Sequence, residues 1–167
     1  LRSFMRNSAI SMMKKGITAF ADFREGGEEG VRLLRDSIAG LPIKCLVLGR
    51  IESYLHPKRK MTIYSSSTKK TLKQNKAKLI RTIGLTSEQL QEARQVLLMS
   101  EGLGLSGANE NSDESLKQYH CLIEQQKNIN GRTLKRPLLS IHAAESKETT
   151  KFSRVRTGKT EVERIMQ

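Results

Sequence analysis

The chain has 167 residues, 30 Lys and Arg against 17 Asp and Glu, and a formal charge of +13 with its three histidines neutral. That length holds one domain with tails or a small two-lobed domain and excludes a large multidomain enzyme. Hydrophobic residues make up 37%, aromatics 4%, and Trp is absent, so a core must rest on Leu, Ile, Val, Met and Ala, which favours helices over a sandwich or barrel.

Residues 3–21 set Met5, Ala9, Met12, Met13, Ile17 and Phe20 three and four positions apart, the spacing of a first helix. Glu25-Gly26-Gly27 reads as a turn. Glu28 and Glu29 then suit the positive end of a second helix carrying Val31, Leu34, Ile38 and Leu41, which Gly40 and Pro42 close. Residues 43–55 read as a third helix bounded by Pro57, with a short buried strand over Ile43–Leu48 as the competing reading. Residues 58–71 have no apolar period and read as an exposed loop, and Leu72, Leu79, Ile80 and Ile83 outline a fourth helix. Thr86 and Gln89 have capping-box spacing ahead of Leu90, Ala93, Val96, Leu97 and Met99, the clearest helix start in the chain. Residues 102–113, with three glycines, read as a linker, and a sixth helix begins near Ser112 or Asp113 and stops at Asn130-Gly131. Beyond that the apolar content thins, so residues 131–167 read as a flexible basic tail. These elements predict an all-α fold: a compact bundle of five or six helices over residues 1–130, followed by the tail.

Charge is distributed unevenly. Residues 53–87 carry nine basic side chains and no acid, residues 88–130 carry seven acids against three bases, and residues 131–167 carry nine bases against four acids. A lysine-dense segment without acids repels itself and is relieved by a polyanion, and nucleic acid is the commonest such partner. The reading that follows is a non-enzymatic nucleic-acid-binding protein, RNA preferred over DNA, gripping the phosphate backbone with little base discrimination and coating or packaging its ligand. Its contacts are Lys58, Arg59, Lys60, Lys69, Lys70, Lys73, Lys76 and Arg81, with Arg154, Arg156 and Lys159 as a second group from the tail. Pro57-Lys58-Arg59-Lys60 has the density of a nuclear-import signal, placing the protein inside the cell, in nucleus or cytoplasm. The acidic shoulder allows a second copy of the chain to dock as a homo-oligomer. The alternative is a helical protein–protein interaction module or scaffold, attracted to an acidic protein or an acidic membrane surface.

Enzyme signatures are missing from the sequence pattern. Gly158-Lys159-Thr160 resembles the end of a phosphate loop, but Ser153 stands where a glycine is required. His120 and Cys121 are adjacent and would diverge by about 100° on a helix, so they read as a rim histidine and a buried thiol rather than base and nucleophile. His56 and His142 have no adjacent acid or cysteine and suggest no metal. Two cysteines, Cys45 and Cys121, are too few for a disulfide framework and suit a reducing compartment. Neither a cofactor nor a catalytic residue is expected.

Overall fold

The structure, a computed structural model, describes residues 1–52, 84–126 and 137–166. It overturns the all-α expectation. Four strands, β1 (Ala19–Arg24), β2 (Lys44–Gly49), β3 (Gly102–Gly107) and β4 (Leu138–His142), form one parallel sheet in the order β1-β2-β3-β4. Parallel neighbours need a crossover between them. Among the described residues α2 (Gly27–Ile38) lies between β1 and β2, α3 (Ser87–Met99) precedes β3, and α4 (Asp113–Gln126) lies between β3 and β4. A first helix α1 (Arg2–Lys14) precedes the sheet, and α5 (Lys147–Thr157) and α6 (Glu161–Ile165) follow it. The tail expected to be flexible is therefore a strand and two helices from Leu138 to Ile165.

One face of the sheet carries the core. Val47, Leu103, Leu105, Leu139 and Ile141 pack with Val31 and Leu34 of α2, Ala93, Val96 and Leu97 of α3, and Leu116, Tyr119, Leu122 and Ile123 of α4. Burying side chains such as Val31 and Leu34 contributes about 1.5–3 kcal/mol each. The helix signals work where a terminus must be defined. Thr86 Oγ1 accepts the Gln89 N–H at 3.2 Å while Gln89 Oε1 accepts the Thr86 N–H at 2.9 Å, the reciprocal cap expected for α3. Glu28 and Glu29 occupy the first turn of α2 and pair with Arg32 at 2.7 and 3.3 Å.

The strands were the elements misread, for reasons visible in their packing. β2 is the competing strand reading of residues 43–48. β1 takes up the end of the span assigned to the first helix, because its strict alternation, Ala19-Phe20-Ala21-Asp22-Phe23-Arg24, sits inside an apolar pattern that also fits 3.6 residues per turn. β3 was assigned to a linker because of its glycines, yet close approach requires them. A Cβ on Gly102 would lie 2.1 Å from the Leu138 carbonyl oxygen, and one on Gly104 would lie 2.6 Å from the Phe23 ring. Strand glycines of this kind mark backbone or side chains in intimate contact.

β1 and β2 end level, Arg24 opposite Gly49, but β2 meets β3 only through Leu48↔Gly102 and Gly49↔Leu103, so β3 overshoots β2. Glu101, just before β3, covers the offset: its Oε2 accepts the Val47 N–H at 2.7 Å and its Oε1 meets Arg35 at 2.6 Å. Burial opposes the Glu101 charge, but the Val47 N–H and the Arg35 guanidinium outweigh it and hold the carboxyl below its ordinary range.

Candidate active site

The opposite face of the sheet holds side chains outside this core cluster. Alternation along the paired strands puts Ala19, Ala21 and Phe23 of β1 on this side with Leu48, Gly102, Gly104, Leu138 and Ser140. In parallel α/β architectures ligands gather at the carboxyl ends of the strands, where the following loops converge. Here that edge carries Phe23 at the end of β1 and His142 at the end of β4, their ring centroids 5.8 Å apart and the planes inclined by 40°.

That contact is informative about shape. Phe23 aligns through Leu48 and Gly102 with Leu138, so His142 lies four residues further along and three strands across. On a flat sheet the two backbones would be roughly 19 Å apart, from about 3.3 Å per residue and about 4.8 Å per strand. The Phe23 ring closes part of that distance by reaching across β2 to Gly104, where a Cβ would lie 2.6 Å from it. Gly104, lacking a side chain, makes room for that ring.

His142 is paired. Its Nδ1 stands 3.2 Å from Glu145 Oε1, and both side chains are more than half exposed, at 54% and 62%. A carboxylate beside Nδ1 favours the tautomer that carries hydrogen there and leaves the Nε2 lone pair outward. The pair can therefore take up and release a proton at the open edge of the sheet. No acid is adjacent to His142 in sequence; the signal is Glu145, three residues on. Among the described residues no group of three or more His, Cys, Asp or Glu side chains is placed to hold a metal ion.

The turn itself is built from elements far apart in sequence. Ala144 adopts φ +54°, and its N–H donates to Glu161 Oε2 at 2.9 Å. Glu161 is buried and also accepts Asn109 Nδ2 at 2.8 Å. On the next turn of α6, the buried Arg164 donates to the Ala108 and Asn111 carbonyls at 2.9 and 2.7 Å and meets Asp113 at 2.7 Å. Thus α6 ties the loop after β3 to the loop after β4.

The sequence-derived contacts fall elsewhere. Pro57, Lys58, Arg59, Lys60, Lys69, Lys70, Lys73, Lys76 and Arg81, and with them the import signal, lie outside the described residues, as do His56 and the fourth helix. Arg154 and Lys159 are exposed near α5's end, where both act on the Glu163 carboxylate. Main-chain hydrogen bonds from the Thr160 N–H and, secondarily, its hydroxyl hold that carboxyl below its ordinary range, with smaller help from the two cations. Arg156 is engaged structurally, donating to the Asn109 carbonyl at 2.6 Å and lying over the Phe152 ring. The Gly158-Lys159-Thr160 run is a helix junction: Gly158, at φ +77°, closes α5, and Thr160 caps α6. Cys121, read as buried, is exposed.

The parallel sheet with its interleaved helices, and the histidine–carboxylate pair at its carboxyl edge, define an α/β protein. No known protein family matches the chain, and no solved structure matches it. It is similar to a protein of Methanothermobacter thermautotrophicus named "Putative aminohydrolase", 32% identical over 166 residues, 99% of this chain and 34% of that one. It is likewise similar to an uncharacterized protein of Methanocaldococcus jannaschii, 32% identical over 155 residues, 93% of this chain and 31% of that one. The chain thus spans about a third of the length of the curated relatives it matches. A likeness running the full chain to a protein bearing an enzyme's name overturns the reading of a non-enzymatic RNA-binding nucleoprotein. The helical-scaffold alternative falls too, since it presupposed an all-helical body.

Proposed function

We propose that this chain supplies catalytic groups to a hydrolytic enzyme that removes an amino group from its substrate with water. The observation that carries the reading is the His142–Glu145 pair at the carboxyl edge of the parallel sheet, beside Phe23. The name of the Methanothermobacter relative supports the reaction class.

In such a reaction a water oxygen bonds to the carbon bearing nitrogen, and the carbon–nitrogen bond breaks. The proton released by the attacking water passes to the His142–Glu145 pair and from there to the departing nitrogen, which leaves as ammonia. The pair ends as it began. Phe23 supplies an apolar wall that excludes water from one side of the reacting carbon. General acid–base catalysis of this kind contributes about 10²–10⁴-fold.

The test is ammonia release by the protein from a panel of primary amides and amino-substituted heteroaromatic compounds. H142A and E145Q should each lower kcat/KM by about 100-fold or more. Failure of the wild type to release ammonia from any compound, or wild-type rates from both variants, overturns the reading.

A further inference from the structure

We propose that the buried Glu161 carboxylate is a positioning residue, holding the left-handed turn at Ala144 that brings Glu145 back onto His142. The proposal rests on the reading of His142 and Glu145 as the proton-handling pair.

Ala144 is the one non-glycine residue with positive φ among the described residues. An L-residue is disfavoured in that region, and such a conformation persists only where surrounding contacts determine it. The contact here is specific: the Ala144 N–H donates to Glu161 Oε2 at 2.9 Å. Glu161 is only 3% exposed, so the accepting oxygen is buried, while the Ala144 side of the bond is exposed. Its other oxygen accepts Asn109 Nδ2 at 2.8 Å, and the same amide donates to the Thr149 carbonyl at 3.1 Å. One carboxylate therefore joins the loop after β3, the start of α5 and the turn after β4.

The anchor does not move with the turn. Glu161 and Arg164 are three residues apart on α6 and so share a face of it. Arg164 fastens that helix to Ala108, Asn111 and Asp113. A single peptide bond joins the Ala144 backbone to Glu145, whose carboxylate stands 3.2 Å from His142 Nδ1. Without an acceptor for its N–H, Ala144 returns to negative φ and the following carboxylate swings away from the imidazole. Glu161 thus reaches the reaction through the backbone at Ala144, without touching the substrate.

Four variants separate this role from general support: E161A, E161Q, which keeps an oxygen for the Ala144 N–H, A144G, which tolerates positive φ unaided, and the E161A/A144G double. In 15N-labelled protein, E161A should raise amide exchange at Ala144 by about tenfold or more and move the His142 ring nitrogen resonances. It should also lower kcat by about tenfold or more, leaving KM within about twofold. E161Q, whose single oxygen can serve the Ala144 N–H only by turning its amide nitrogen toward Asn109 Nδ2, should fall between wild type and E161A, and A144G should recover part of the E161A loss. Unchanged ring resonances and kcat in folded E161A, or no recovery in the double, would overturn the proposal. If E161A does not fold, E161D, which withdraws the carboxylate by one methylene, carries the same expectations. If no compound yields ammonia, the proposed function fails, while the exchange and ring-nitrogen measurements still decide the role of Glu161.

Discussion

Arg164 offers the sharpest test of how the edge of the sheet is held together. Its side chain is 1% exposed and makes three charge-assisted contacts, to Asp113 at 2.7 Å and to the carbonyls of Ala108 and Asn111 at 2.9 and 2.7 Å. Truncation by R164A leaves those two carbonyls without this donor, at about 1–3 kcal/mol each when they stay dry. It also breaks an ion pair, which costs about 3–5 kcal/mol when both partners are buried. Asp113 is 29% exposed and water can reach it, so the ion-pair cost falls at the low end, and the losses overlap rather than add. The expected destabilisation is about 3 kcal/mol. Equilibrium urea unfolding measures it, and R164M, which keeps the aliphatic packing, isolates the polar part. A double-mutant cycle with D113A should give a coupling of about 1 kcal/mol or more. A loss below about 1 kcal/mol for R164A would show that α6 does not fasten the two loops, and the reasoning would fail.

Two further outcomes follow from the protonation chemistry. Glu101 is held below its ordinary carboxyl range in the folded protein, so its contribution to stability is complete above the unfolded carboxyl's range and disappears as pH falls through the folded value. Unfolding free energy of the wild type should drop over that acidic window, and E101Q should flatten the drop; equal slopes would refute the Val47–Glu101–Arg35 linkage. Burial pushes the Cys45 thiol up to about 11, with Asp22 adding to the effect. At pH 8 only about 10⁻³ of it is thiolate. Mass-spectrometric alkylation should therefore modify the exposed Cys121 about tenfold or more faster than Cys45; equal rates would contradict the placement of Cys45 against the core.

What could be read from the chain depended on where its information is local. Helix starts are encoded within four residues, and the Thr86–Gln89 box, the Glu28-Glu29 turn and the Asp113 start all correspond to observed helix ends. Parallel strands are encoded by what they pack against. Gly102 and Gly104 mean "loop" to a local reading and "no room for a side chain" once Leu138 and Phe23 are beside them. The same holds for the site. His142 has no acid beside it in sequence, and only the fold shows that Glu145, three residues on, stands 3.2 Å from it. Net charge drew the reading toward a polyanion, because composition weighs every lysine equally and has no means of marking two uncharged or opposite groups that meet at one edge.

The contact between Phe23 and His142 joins residues 119 positions apart. Such pairs form late, because the intervening chain must be ordered before they can meet. It also demands correct alignment at every intermediate strand: a slip of one residue anywhere would turn one ring to the opposite side. The proximity of these two rings is consequently a readout of complete assembly, and a sample that has compacted but misaligned would retain its helices while losing this ring contact altogether.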